Sequence, residues 1–223
     1  MLTVTGSMYI ESSGTDLILN IPTGAKVIWN AYFYSYHGLQ FLGGGSFESA
    51  AGKIDVGGIH IPSGTSTVTL NGNIDFWGNS WGSGAYSTGS TLIINGNLTI
   101  SGDDHQFRAS IGEVIVNGNV NITGGSPSNE SYVGVEGGGV MTINGSLTTL
   151  DDDEYVMIDG VWFAKGDYET VSSKACYREY TDGTSFVFVK PDGGSNILLI
   201  VAIAVAVIAA IGVAAYFLVI RKP

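Results

Sequence analysis

A short cluster of titratable residues, Asp103-Asp104-His105 followed by Arg108, is the group in this sequence best suited to acid–base chemistry. Two carboxylates and a basic partner can donate and accept the protons needed to cleave a glycosidic bond. The same residues fit a solvated loop, because Gly102-Asp103-Asp104 is common turn chemistry. We therefore treat the four residues as catalytic candidates, with a solvated turn as the alternative.

A run of acidic residues, Asp151-Asp152-Asp153-Glu154, is the candidate metal site. Calcium takes about six to eight oxygen ligands, and adjacent carboxylates could supply several of them. Their spacing differs from that of the helix-loop-helix calcium loop, so a solvated acidic turn is the alternative. Calcium is the one cofactor that the sequence suggests.

Two groups of aromatic residues could stack against sugar rings, as aromatic side chains with a polar edge often do. The candidate ligand-binding residues are Tyr32, Tyr34 and Tyr36 in one group and Trp77 and Trp81 in the other. Packing in a hydrophobic core is the alternative for these rings.

Four Asn-x-Ser/Thr sequons would accept glycans if the chain were exported. They begin at Asn97, Asn121, Asn129 and Asn144. Two of them arise from an Asn- and Thr-rich repeat, so chance occurrence is the alternative. Asn129 lies in a Gly-, Ser- and Pro-rich stretch, and we expect it to be the most accessible.

The overall charge excludes one class of partner. The chain has 9 basic and 20 acidic residues, a formal net charge of −11. Nucleic-acid binding needs clustered Lys and Arg, so no nucleic-acid partner is expected. Cys176 is the single cysteine, which rules out an internal disulfide.

The chain ends in a long apolar segment, residues 197–220, that carries no charged side chain. As a helix it would be roughly 36 Å long, enough to cross a bilayer. Arg221 and Lys222 follow it directly, so the positive-inside rule places residues 221–223 in the cytoplasm and the larger N-terminal part outside the cell membrane. Within this segment Ala202, Ala206, Ala210 and Ala214 form a small-residue stripe that could support self-association.

The N-terminus has neither the basic start nor the apolar core of a signal peptide. Because the predicted orientation requires export, we expect that an N-terminal part is missing. The sequence that follows Met1 already matches the internal repeat, which agrees with this expectation.

An internal repeat organises residues 1–150. Four segments align without gaps around Asn71, Asn95, Asn117 and Asn144, which are 24, 22 and 27 residues apart. Further copies fit residues 2–10 and 27–33. Repeats of this length are typical of solenoids, in which each turn covers its neighbours.

Side-chain parity limits how the Asn-Gly corner can be built. A two-residue hairpin turn would place Leu70 opposite Asn73, which mixes apolar and polar residues on one face. If the chain stays extended, Val68, Leu70 and Ile74 all point to one side. An inward Gly suits the corner, because Gly tolerates positive φ and a side chain there would crowd the interior. A three-residue Asn-Gly-Asn hairpin, pairing Leu70 with Ile74, satisfies the same parity. The prediction is therefore an all-β fold, a parallel β-helix (β-solenoid) of about 22 to 27 residues per coil, with an antiparallel hairpin array as the alternative.

The remaining segments complete the domain organisation. Residues 151–190 are predicted to form a capping coil and a hairpin around Asp182-Gly183. Residues 191–196, rich in Gly, Ser and Asp, are predicted to be a flexible tether to a transmembrane helix at 197–220.

The Asn-Gly-Asn coils and the C-terminal anchor together resemble the β-helical, adhesin-like surface proteins of prokaryotes. The resemblance covers about residues 2–149 and the tail, and its motifs are structural. It implies a single-pass, non-enzymatic surface protein for adhesion or cell-envelope display. Its partners would be the membrane and a surface polysaccharide or another surface protein. The alternative is a polysaccharide-binding or polysaccharide-cleaving enzyme on the same fold.

Overall fold

The computed structural model describes residues 1–10, 17–49, 53–61, 67–76, 83–101, 105–110, 112–124 and 132–191. Side-chain placement is described for most, not all, of these residues. The chain divides after Pro191, and the predicted tether, transmembrane helix and cytoplasmic tail lie outside the described residues. No helix among the described residues is long and apolar enough to cross a membrane.

The described part is an all-β fold, a β-solenoid with about four regular turns. The strands in chain order are β1 Leu2–Ile10, β2 Leu17–Asn20, β3 Lys26–Leu42, β4 Ser46–Ser49, β5 Lys53–Ile61, β6 Val68–Asn71, β7 Ile74–Phe76, β8 Ser83–Thr88, β9 Thr91–Asn95, β10 Leu98–Ile100, β11 His105–Ser110, β12 Glu113–Val116, β13 Val120–Ile122, β14 Tyr132–Glu136, β15 Val140–Ile143, β16 Leu147–Thr148, β17 Val156–Ile158, β18 Val161–Phe163, β19 Arg178–Thr181 and β20 Phe186–Val189.

Within the described residues the strands form three parallel ladders, and a regular turn gives one strand to each. The first ladder runs β1–β3–β4–β6–β9–β12–β15–β20. The second runs β1–β3–β5–β7–β10–β13–β16. The third runs β2–β3–β5–β8–β11–β14–β17. The long strand β3 takes part in all three.

The predicted parity of the repeat is confirmed. Leu70, Ile94, Val116 and Ile143 are register partners along the first ladder, and all four are fully buried. The second ladder buries the matching residues after each corner, namely Ile74, Leu98, Val120 and Leu147. Each corner joins a first-ladder strand to a second-ladder strand, and the strands pair with neighbouring turns, so the Asn-Gly-Asn hairpin alternative is wrong for these repeats.

The N-terminal copies of the repeat also stack in the predicted register. Leu2 is the partner of Val27 and Thr5 is the partner of Asn30. The predicted copies at residues 2–10 and 27–33 therefore continue the same ladders as the regular turns.

The C-terminal end of the solenoid is closed by antiparallel strands. β18 folds back on β17, and β19 folds back on β20 with Asp182 and Gly183 in the connecting turn. Tyr155 and Tyr180 are buried below this closure, with ring centroids 5.6 Å apart. Their hydroxyls donate to the carbonyl oxygens of Leu147 and Lys165. Both buried hydroxyl groups therefore have a hydrogen-bond partner.

Candidate functional site

The most regular polar array in the described structure is a ladder of asparagine side chains along the Asn-Gly corner. Asn95 Nδ2 donates to Asn71 Oδ1 at 2.8 Å. Asn117 Nδ2 donates to Asn95 Oδ1, and Asn144 Nδ2 donates to Asn117 Oδ1, both at 2.6 Å. The hydroxyl of Tyr177 donates to Asn144 Oδ1 at the C-terminal end of the ladder. Because each amide both donates and accepts, the bonds polarise one another.

A second ladder lies two residues further on and joins side chain to backbone. The backbone N–H groups of Asn97, Asn119 and Ser146 donate to the Oδ1 atoms of Asn73, Asn97 and Asn119, at 3.0, 2.9 and 2.9 Å. The two ladders explain why the repeat keeps Asn on both sides of Gly. They tie each turn to the next at a corner where the backbone leaves one parallel ladder for another.

The central Gly of each corner lies where adjacent turns approach each other closely. Of the four corner glycines only Gly72 has positive φ, at 103°. At Gly96, Gly118 and Gly145 a Cβ would lie 2.0 to 2.4 Å from the carbonyl oxygen of the corner glycine one turn earlier. Positive φ therefore explains the glycine only at Gly72. At the other three corners the predicted crowding by a side chain explains it, and the clash is with the backbone of the adjacent turn.

The candidate catalytic cluster is only partly within the described residues. Asp103 and Asp104 lie outside them, and His105 is described through its backbone, which begins β11. Arg108 Nη1 donates to Glu136 Oε2 at 3.0 Å, across the third ladder from β11 to β14. Sequence reasoning missed Glu136, although it lies about one repeat after Arg108 and therefore falls on the neighbouring turn.

The acidic run adopts a turn. Asp151 Oδ1 accepts the backbone N–H of Asp153 at 2.8 Å, and Asp152 Oδ1 lies 3.3 Å from Lys165 Nζ. No group of three or more His, Cys, Asp or Glu side chains among the described residues is placed to hold a metal ion, and this includes the run from Asp151 to Glu154. The turn uses the Asp151 carboxylate and the ion pair uses that of Asp152, and calcium binding stays a prediction.

The predicted aromatic sites fall mostly outside what the structure describes. Tyr32, Tyr34 and Tyr36 lie on β3, but their side chains are not among those described, and Trp77 and Trp81 lie outside the described residues. Their neighbour Trp29 is buried, with its ring centroid 5.8 Å from that of Phe47. Trp29 is therefore a core residue, whereas sugar binding by the other five stays a prediction.

Three of the four sequon asparagines lie on described parts of the repeat. Asn97 and Asn144 belong to the two corner ladders, Asn121 lies on β13, and Asn129 lies outside the described residues. Glycosylation modifies Nδ2, and Asn144 already uses this atom to bond Asn117 Oδ1.

We therefore expect native protein to carry no glycan on Asn144 and, if any sequon is modified, to carry one on Asn129. A glycan on Asn144 Nδ2 would replace one of its two hydrogens and crowd the 2.6 Å bond to Asn117 Oδ1 at the C-terminal end of the ladder. Mass spectrometry of peptides from native membranes measures both positions in one digest. A modified Asn144 beside an unmodified Asn129 would contradict this expectation.

A hydrogen-bonded clasp fastens the C-terminal hairpin to the last turns of the solenoid. Asp159 Oδ1 accepts from the Gly137 backbone N–H at 2.9 Å, and its Oδ2 accepts from Ser185 Oγ at 2.7 Å. Ser185 is completely buried and its Oγ accepts from Gly138 N–H.

The hairpin turn next to Ser185 has its own hydrogen bonds. Asp182 Oδ1 accepts the backbone N–H groups of Thr184 and Ser185. The clasp thus joins the β14–β15 turn, the β17–β18 turn and the β19–β20 hairpin.

Two side chains at the C-terminal end of the solenoid have shifted pKa values. The backbone N–H groups of Ser185 and Thr184 stabilise the Asp182 carboxylate and hold its pKa well below the ordinary value. Burial raises the pKa of the Tyr180 hydroxyl above its ordinary value, so Tyr180 stays neutral as a hydrogen-bond donor.

We expect the β19–β20 hairpin to lose stability in acid, because the Asp182 carboxylate becomes protonated. A depressed pKa in the folded state means that the carboxylate contributes stability above its unfolded pKa of about 3.9, and that this contribution is lost as pH falls toward the folded value. Thermal unfolding of the wild-type chain and of Asp182→Asn between pH 7 and about pH 2 tests this, because Asn keeps an acceptor oxygen without a charge. The variant should show a flatter pH dependence, and identical profiles would contradict the assignment.

No family model, no curated protein and no solved structure matches this chain significantly. Its functional class therefore rests on the sequence pattern and on the geometry of the described residues. The sites described above use their polar groups mainly on one another, through the corner ladders, the Arg108–Glu136 pair and the clasp.

Proposed function

We propose that this chain is a membrane-anchored surface protein whose β-solenoid serves display or adhesion rather than catalysis. The observation that carries the proposal is the corner itself, where successive Asn side chains of the regular turns bond one another instead of a ligand. Such an array stiffens the stack of turns and leaves its loops free to vary, as suits a scaffold. The apolar segment at 197–220, followed by Arg221 and Lys222, supports anchoring with the solenoid outside the cell.

The orientation can be tested with the single cysteine. Cys176 is exposed, so a membrane-impermeant maleimide should label it on intact cells that express the full chain. The matched control is Cys176→Ser combined with Pro223→Cys, which should be labelled only after the cells are permeabilised. The reverse pattern, with Cys176 protected and position 223 labelled on intact cells, would contradict an external solenoid.

A surface enzyme or binding protein for polysaccharides is the second candidate. One observation favours it: Arg108 and Glu136 place a guanidinium and a carboxylate side by side and partly exposed on the third ladder, on the strand that His105 begins. Such a pair could hold an acidic sugar, with Asp103, Asp104 or His105 acting on the glycosidic bond. Turnover of acidic or neutral polysaccharides by the full chain, abolished by Arg108→Gln, would support this role. An absence of turnover and of binding across such a panel would remove it.

A further inference from the structure

Each asparagine of the first corner ladder is followed directly by glycine, and Asn-Gly is the dipeptide most open to intramolecular attack on the side-chain amide. The four pairs are Asn71-Gly72, Asn95-Gly96, Asn117-Gly118 and Asn144-Gly145. In this reaction the backbone nitrogen of Gly bonds to Asn Cγ, the Cγ–Nδ2 bond breaks and ammonia leaves. Water then opens the resulting succinimide ring to aspartate or isoaspartate. Glycine favours the first step because no Cβ hinders the approach.

The ladder holds three of these asparagines against that reaction. The side chain must rotate to bring Cγ over the following nitrogen, which breaks the bonds that Nδ2 donates and that Oδ1 accepts. For Asn95, Asn117 and Asn144 the donated bonds are 2.8, 2.6 and 2.6 Å long. Their Oδ1 atoms accept from Asn117, Asn144 and Tyr177, so all three are held at both ends.

Asn71 is held less tightly, because it stands at the start of the ladder. Its Nδ2 reaches the Phe47 carbonyl oxygen only at 3.5 Å, the outer limit of a hydrogen bond. The attacking nitrogen, Gly72 N, donates a long bond of 3.3 Å to the carbonyl oxygen of Asn95. Only the bond that Asn71 Oδ1 accepts from Asn95 is short.

We propose that Asn71 is a site of spontaneous succinimide formation and deamidation in the folded protein, and that the ladder protects the other three asparagines. An aspartate at 71 keeps the oxygen that accepts from Asn95 Nδ2 and loses only the long 3.5 Å contact with the Phe47 carbonyl oxygen. An aspartate at 95, 117 or 144 would instead set a carboxylate oxygen against the Oδ1 atom of the preceding Asn. Two acceptor oxygens then face each other, and the hydrogen bond between those two turns is lost.

The test follows deamidation at all four positions in the full chain, in mildly alkaline buffer made with ¹⁸O-water. Peptide mapping then distinguishes deamidation during the incubation, which incorporates ¹⁸O, from deamidation that occurred earlier and carries no label. In the folded protein Asn71 should react within about fivefold of its rate in guanidinium chloride, because only one short hydrogen bond, from Asn95 Nδ2, must open first. The other three should react at least about tenfold more slowly when folded than in guanidinium chloride, because two short hydrogen bonds must open first. Equal folded rates at the four positions, or an Asn71 as slow as the others, would overturn the proposal.

A conservative variant tests the protecting bond directly. Tyr177→Phe keeps the ring but removes the donor to Asn144 Oδ1, so Asn144 should deamidate about fivefold faster while Asn95 is unchanged. Tyr168→Phe, a tyrosine outside the ladder and partly exposed, is the matched control and should change neither rate. An unchanged Asn144 rate in folded Tyr177→Phe would refute protection by the ladder. The comparison of folded and unfolded wild-type rates decides the proposal even if the variant folds poorly.

Discussion

Gly96→Ala is expected to destabilise the solenoid severely. The new Cβ would lie 2.0 Å from the Gly72 carbonyl oxygen and 2.4 Å from its carbonyl carbon, so backbone, not a flexible side chain, would have to move. Moving it separates two turns at the corner where Asn95 bonds Asn71. We expect a loss on the order of 3 kcal/mol or more in the free energy of unfolding, at the upper end of overpacking effects.

Equilibrium urea unfolding of the two proteins measures this loss, with Gly166→Ala as the matched control. A Cβ at Gly166 meets nothing within 4 Å, and its backbone is not in the left-handed region. The control should therefore change stability by less than about 1 kcal/mol and could raise it. A Gly96→Ala protein as stable as the control would show that adjacent turns do not approach as closely as described.

Phe107→Ala should lower the free energy of unfolding by a similar amount, because it removes packing from the core instead of displacing the backbone. Phe107 is fully buried on β11, where its register partners are Ala85 of β8 and Val133 of β14. Removing the ring leaves a cavity between turns that cannot collapse without breaking the ladder. The expected loss is about 3 to 5 kcal/mol.

The same unfolding experiment on Val171→Ala supplies the control for Phe107→Ala. Val171 is an apolar residue that is 84% exposed, so shortening it removes little buried surface. We expect its stability to stay within about 0.5 kcal/mol of wild type. If Phe107→Ala matched this control, the third ladder would not be packed as the structure has it.

The periodicity of the sequence predicted most of the repeating part of the fold. Alternation of apolar residues predicted which side chains point inward, and the spacing of Asn71, Asn95 and Asn117 favoured stacked corners over a hairpin array of the same parity. Both predictions are confirmed. This works because a solenoid turn contacts mainly its neighbours, so local pattern and tertiary contact carry the same information.

Features that depend on contacts between turns were harder to predict. The need for Gly96 arises from a carbonyl oxygen 24 residues earlier, and no local conformational preference reveals it. Pairing of Arg108 with Glu136 and of Asp159 with Ser185 likewise joins residues that are 28 and 26 apart. Such pairs become predictable only once the length of each coil, including its variable loop, is known.

The candidate chemistry was less predictable than the fold, because residue types alone do not place side chains. Among the described residues Asp152 pairs with Lys165, and Arg108 with a glutamate that was not among the candidates. The membrane anchor, the Ala202 stripe and the glycan at Asn129 remain predictions from the sequence.

Stacking of the turns in register is the central claim, and cysteine pairs test it most directly. In a Cys176→Ser background of the full chain, Thr99→Cys with Asn121→Cys joins register partners on adjacent parallel strands. Neighbouring strands lie about 4.8 Å apart, within the range that a disulfide spans. Ile93→Cys with Thr99→Cys would instead be opposed in an Asn-Gly-Asn hairpin. We expect rapid oxidation of the first pair and none of the second, and the reverse result would contradict the solenoid.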